Sequence, residues 1–404
     1  MSSKNNDLNV SDNVRQIQPS ATIAVSTLAK KLKAEGRDII NLGAGEPDFD
    51  TPAFIRQAAI DAIQGGATRY TPAAGLPELR QAVARELARG PNPELDPDGV
   101  VVSAGAKHSL FNAIFSVVGP GEEMLVPAPY WTTYPELVRL ARAEPRVVVG
   151  PEDRDYRVDV DTLDAAYDDT VRAILLNTPS NPSGAVYTLE EVEAIVAWAA
   201  DRHVWVITDE IYNRLWHDGP EGGRAPGLLD LDPALLDRAV VVDGVSKTYA
   251  MTGWRIGYSW SRTDLAKKMG ALQSHMTSNA ATPSQHAAMA ALGANEEQRS
   301  EVLAMAREFR ARRDLVVELL GEVMPDVGCV RPAGAFYLFF RVDAFFTEAV
   351  PDSVALCQNL IEEAGVALVP GSAFGDDRYV RMSFAASRDD LENGLRRAAA
   401  HLTR

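Results

Sequence analysis

Between about residue 100 and residue 260, short β-branched and aliphatic runs alternate with amphipathic stretches. The runs predict strands at Val100–Ser103, Met124–Val126, Val147–Val149, Ala173–Asn177, Val204–Thr208, Val240–Asp243 and Ile256–Trp260. Between the first two, Leu110, Phe111, Ile114, Phe115 and Val118 recur at the spacing of one helix face. Thr188, with Glu191 three positions on, predicts a capping box that opens a helix through Ala200. Continuous apolar strands separated by helices predict an α/β fold, with a mainly parallel sheet covered on both faces.

The pattern changes towards the C-terminus. A helical stretch around Glu296–Leu320 is followed by the segments Gly334–Arg341, Gly365–Pro370 and Tyr379–Phe384, which read as a small α+β unit. Residues 1 to about 50 have no core of their own and are expected to pack with it. The expected division is a large α/β domain over 51–292 and a smaller α+β domain built from 1–50 and 293–404.

Composition narrows the function classes. A chain of 404 residues, 46% hydrophobic and 24% charged, suits a soluble protein of two domains. No apolar run approaches bilayer length, and the polar start lacks the apolar centre of a secretory signal. Cys329 and Cys357 are too few for a disulfide framework, so a reducing cytoplasm is expected. A formal net charge of −16 argues against nucleic acid as a partner. An anionic substrate must then be caught by a few placed cations. The six histidines have no ligand pair at helical spacing, so no metal is expected.

In an open α/β sheet, ligands bind beyond the carboxyl ends of the strands. Those ends carry Ala104-Gly105-Ala106-Lys107, Thr178-Pro179-Ser180-Asn181-Pro182-Ser183-Gly184, Asp209-Glu210-Ile211-Tyr212 and Gly244-Val245-Ser246-Lys247. A nucleophilic lysine needs a confined site, often beside another cation, and Arg255 follows Lys247 by eight residues. Taken alone, each of these two is an ordinary surface residue. Asp209 reads equally as the partner of a buried cation or as the N-cap of a helix over Glu210–Leu215. Gly105 opens a helix, and such an end attracts anions. Trp131 suits stacking on a flat ring or burial in a core. Gly43-Ala44-Gly45 lacks the third glycine of a dinucleotide fingerprint and is rejected as one.

Asn181-Pro182-Ser183-Gly184, Asp209-Glu210-Ile211-Tyr212, Ser246-Lys247 and Gly253-Trp254-Arg255 occur in order at suitable intervals. This ordered set resembles the class I/II aminotransferases of pyridoxal-phosphate (PLP) fold type I, over nearly the whole chain. Gly45-Glu46-Pro47-Asp48-Phe49, Tyr70 to Gly75, Ala250 to Arg255 and Gly334-Ala335-Phe336-Tyr337 are similar to the prokaryotic branch of aspartate aminotransferases. The resemblance implies that Lys247 holds PLP as a Schiff base and shuttles the substrate proton. It implies that Asp209 pairs with the pyridinium nitrogen, while Tyr212 and Asn181 bond the phenolic oxygen and Trp131 stacks on the ring. Arg255, Ser246 and the amides of Gly105 and Ala106 are implied to hold the phosphate. Tyr70 is implied to reach the neighbouring subunit's phosphate, making a homodimer with shared sites. One departure is Gly244, where some relatives carry a phosphate-binding serine.

For substrate, the resemblance assigns Arg381 to the α-carboxylate with help from the Gly45 amide. Planar two-pronged recognition is the physical reason for an arginine. Thr22 and Lys107 match the pair that the prokaryotic branch uses for a distal carboxylate, and the stretch Gln273–Pro283 holds no arginine that would do so instead. The implied reaction moves the amino group of aspartate to 2-oxoglutarate. Prephenate is a second acceptor to consider, although Gln18 stands where many such relatives have a basic residue. The alternatives are transamination of aromatic or neutral amino acids, β-elimination on the same scaffold, and a PLP-binding regulator.

Overall fold

A computed structural model describes residues 10–15, 17, 19 and 21–403. Its central sheet has seven strands: β1 Val100–Ser103, β2 Glu123–Ala128, β3 Glu144–Val149, β4 Val171–Asn177, β5 Trp205–Asp209, β6 Ala239–Gly244 and β7 Gly257–Ser261. They lie in the order β1-β7-β6-β5-β4-β2-β3. Every pairing is parallel except those of β7 with β1 and β6. Each expected strand is present. β3 begins three residues earlier than its apolar run because Glu144, Pro145 and Arg146 lie on an edge strand, where polar side chains meet water.

The edge strand β1 and the interior strand β6 are both buried along their whole length, as a sheet covered on both faces requires. One face packs against Leu110, Ala113 and Ile114 of the helix Ala106–Val117. The other packs against Val192, Ile195, Val196 and Ala199 of the helix Leu189–Asp201. Thr188 caps that helix through its side chain, and Glu191 completes the capping box. Replacing such a cap with alanine costs about 1 kcal/mol.

A second sheet has four antiparallel strands: β8 Cys329–Val330, β9 Tyr337–Arg341, β10 Val369–Pro370 and β11 Tyr379–Ser383, in the order β10-β11-β9-β8. The N-terminal segment packs beside it in a separate two-stranded sheet. Ile40–Asn41 pairs in parallel with Val366–Ala367, and Ala29 of the helix Ala21–Ala34 packs on Ile39, Ile361 and Ala367. The helix Glu296–Val323 bridges the two cores: Val302 and Met305 belong to the central one, Phe309 to Leu320 to the smaller. Among the described residues, no helix is long and apolar enough to cross a membrane.

Candidate active site

The carboxyl ends of β1, β4, β5 and β6 open on one cavity of about 480 Å³, between the central sheet and the smaller one. Its lining includes Lys247, Asp209, Tyr212, Ala106, Trp131, Asn181, Ser246, Arg255, Gly45, Thr22, Lys107 and Arg381. The fold therefore gathers residues spread from position 22 to position 381. Gly105 lies just behind the lining. Tyr70 is outside the cavity of its own chain and 89% exposed. Gln18 lies outside the described residues.

Lys247 follows β6 directly, and its Nζ donates to the Gly45 carbonyl at 2.6 Å. Burial, with the charges of Arg255 and Arg381 adding to it, lowers its pKa to about 8, although Glu46 opposes the shift. The amine is thus far more available as a base near neutral pH than an ordinary lysine, although the protonated form still predominates at pH 7. Arg255 does act as the depressing cation that the sequence suggested, but desolvation is the larger cause.

Asp209 ends β5 and is 3% exposed. It accepts from Tyr134 Oη at 2.8 Å and from the Ile211 amide at 3.3 Å. Burial pushes its carboxyl up to about 6. Residues 210–215 form no helix but a turn, so the helix-capping alternative does not hold. The Glu210 side chain explains the turn. It accepts from Thr208 Oγ1 at 3.0 Å and the Leu228 amide at 3.2 Å, and pairs with Arg89 at 2.6 Å, pulling the chain away from a helical course.

Tyr212 shares a 2.9 Å hydrogen bond with Tyr337 Oη, and the Lys247 amine lies 6.0 Å from the Tyr212 ring centre. Arg381 on β11 is buried. It donates to Asn181 Oδ1 at 2.9 Å and the Gly43 carbonyl at 3.0 Å, and its guanidinium lies 4.3 Å from the Tyr337 ring centre. Its Nε has no partner among the described residues, nor has Thr22 Oγ1. Both residues line the cavity, where a bound ligand can complete these atoms.

The helix Ala106–Val117 begins at the cavity, with Gly105 as its cap at φ 91°. A Cβ there would overlap the Arg255 guanidinium, and one on Gly257 would overlap the Ala106 nitrogen. These glycines therefore let Arg255 lie against the helix end, where first-turn amides lack intrahelical acceptors. A guanidinium beside free amides is a binding site for a dianion. Gly244 packs against β7, where a Cβ would lie 3.0 Å from both the Gly257 Cα and the Ile256 carbonyl, so the backbone leaves little room for a serine.

A model of the family described as "Aminotransferase class I and II" matches residues 37–398. The chain belongs to the class I and II aminotransferases. An aspartate aminotransferase of Streptomyces avermitilis is 45% identical over 394 residues, covering 96% of this chain and 95% of that protein. An aspartate/prephenate aminotransferase of Nitrosomonas europaea is 39% identical over 404 residues, covering 98% and 100%. Among solved structures, the aspartate aminotransferase from Thermus thermophilus with maleate superposes with a TM-score of 0.89 at 36% identity, covering 97% of this chain and 99% of that one. The sheet order and the smaller antiparallel sheet are those of an aminotransferase of fold type I.

Among the cavity residues that escaped sequence reading are Tyr134 and Tyr337. Tyr134 reads as a core aromatic at the start of a helix, and only the fold brings it to Asp209. Tyr337 lies in the Gly334–Tyr337 run that carried the family resemblance, which is the signal that was available for it.

Proposed function

We propose that this aminotransferase uses PLP to move the amino group of L-aspartate to 2-oxoglutarate, giving oxaloacetate and L-glutamate. The observation that carries this is the joint lining of one cavity by Lys247, Asp209 and Tyr212, by Arg381, and by the pair Thr22 and Lys107. The names of the Streptomyces and Thermus relatives agree with the substrate.

The residues fit the cofactor. Asp209 is a buried carboxylate held by two neutral donors, a setting completed by a cationic ring nitrogen. Arg255, Ser246 and the amides at Gly105 and Ala106 would hold the phosphate. Trp131 and Asn181 would face the ring, Tyr212 would bond its phenolic oxygen, and Lys247 would anchor it through the amine. PLP, once bound, supplies an electron sink for the substrate's α-carbon.

The protein's own part is binding and proton transfer. Arg381 grips the α-carboxylate with two parallel donors, and the Gly45 backbone borders the same space. Lys247, with its depressed pKa, takes and returns the α-proton near neutral pH. Lys107 has its Nζ 4.8 Å from the Trp131 ring centre, and Thr22 presents an unpartnered hydroxyl; together they would receive the distal carboxylate. The same cation serves prephenate, which also carries a distant carboxylate. That second activity is supported by the name of the Nitrosomonas relative.

We read the chain as two domains, 51–292 and 1–50 with 293–404, and the active form as a cytoplasmic homodimer in which Tyr70 serves the neighbouring site. The exposure of Tyr70 fits that role. The test of the substrate assignment is the ratio of aspartate to alanine turnover in Lys107→Gln. A selective loss on aspartate supports it, and equal losses on both remove it.

A further inference from the structure

Two neighbouring strand ends carry most of the chemistry. β5 runs into Asp209, Tyr212 and Asn213; β6 runs into Asp243, Gly244 and Lys247. Parallel pairing sets Asp209 beside Val242, and the Glu210 amide donates to the Val242 carbonyl at 2.8 Å. Beyond that point the link passes to side chains. Asn213 Nδ2 donates to Asp243 Oδ2 at 2.9 Å, and Asp243 Oδ1 accepts from the Gly244 amide at 2.6 Å. Asn213 is 2% exposed and Asp243 is 4% exposed, and neither belongs to the cavity lining.

We propose that Asp243 and Asn213 are a positioning pair that fixes the spacing between the Tyr212 phenol and the Lys247 amine. This rests on the reading of those two residues given above. Asn213 is the neighbour of Tyr212, and Asp243 stands four residues before Lys247, so one buried bond ties both loops. A buried carboxylate is costly to hold without a cation. The charged and titratable groups facing Asp243 are Arg224, Arg89, Glu210, Glu86, Tyr249 and Tyr258. Arg224 is ion-paired to Glu86, and Arg89 to Glu210 and Asp230. Among the described residues, Asp243 has no ion pair of its own. Burial pushes its carboxyl up to about 7, and each oxygen keeps one hydrogen bond, charge-assisted in the ionised form. One bond reaches the loop that carries Tyr212, and the other holds the end of β6 just before Lys247.

The experiment compares PLP-loaded wild type with Asp243→Asn, Asn213→Asp and the double variant. In the double variant, donor and acceptor exchange strands while the Gly244 amide keeps an oxygen to bond. Three quantities are read: the melting midpoint, the pH midpoint of the bound cofactor's absorbance, and kcat with KM for the amino donor. Each single is expected to shift the absorbance midpoint by about half a pH unit or more. Each should also lower kcat about tenfold, with KM within about twofold, as a small misplacement of reacting groups does. The double should recover both quantities to within about threefold of wild type. Singles that melt earlier but keep midpoint and kcat would reduce the pair to a structural role and overturn the proposal. So would a double no better than its worse parent. If Asn213→Asp does not fold, Asn213→Ser removes the amide donor and yields the same two readings. Wild-type enzyme without cofactor absorbance overturns the functional reading as well; unmoved singles in a working enzyme overturn the pair alone.

Discussion

Arg381 donates to Asn181 at 2.9 Å, joining the smaller sheet to the loop beyond β4. The guanidinium is buried, and burial lowers its pKa, but an arginine side chain stays charged in proteins. With one Nε unpartnered, it is a cation awaiting an anion. Arg381→Lys keeps the charge but loses the planar fork. It should lower kcat/KM at least about a hundredfold for every amino donor alike, as breaking a buried charge pair does. Steady-state kinetics on aspartate and alanine check this; selective loss on one donor contradicts it.

Lys107 and Thr22 make the opposite kind of prediction. They would touch only substrates with a second carboxylate, so Lys107→Gln should cost aspartate about ten- to a hundredfold more than alanine, an unpaired buried carboxylate being the cause. The ratio of the two kcat/KM values is the measurement.

Much of this arrangement was legible in the sequence, for a physical reason. Strand ends in a parallel sheet present short loops to one edge, so Asp209, Lys247 and Asn181 could be placed together from the alternation of strands and helices alone. Arg381 and Thr22 were not legible by that route, because they reach the cavity from β11 and from the helix Ala21–Ala34, whose placement depends on tertiary packing. The family resemblance supplied them. Of the two readings that the sequence left open for Asp209, the turn at 210–215 removes the helix cap, and the Glu210 side chain, held by Thr208 and the Leu228 amide, accounts for that turn. Tyr134 was missed because an aromatic at a helix start carries no sign of the carboxylate it will meet.

Lys247 links the site to stability. Burial favours its neutral amine, so the fold resists protonation: the destabilisation is absent above the unfolded pKa of 10.5 and full below about 8. Lys247→Met should therefore stabilise the cofactor-free protein near pH 6 by up to about 3 kcal/mol. The gain should fade as pH rises through about 8 towards 10.5. Urea unfolding across that range reads it, and a gain independent of pH contradicts it.

Tyr337 supports Tyr212 through one hydroxyl bond in a buried setting. Tyr337→Phe removes only that bond and should lower kcat about three- to tenfold with little change in KM, the worth of a typical buried hydrogen bond. A change confined to KM would place Tyr337 in substrate binding instead.

The central claim is that Lys247, in a cavity where Arg381 and Lys107 each receive one carboxylate, transaminates an acidic amino acid. The most direct test is a coupled assay on purified protein with PLP and 2-oxoglutarate, comparing aspartate, alanine, phenylalanine and no donor, with Lys247→Ala alongside. Aspartate turnover well above the other donors and abolished in Lys247→Ala is the predicted result. A PLP-bound wild type that turns over alanine or phenylalanine faster than aspartate would contradict the roles given to Thr22 and Lys107.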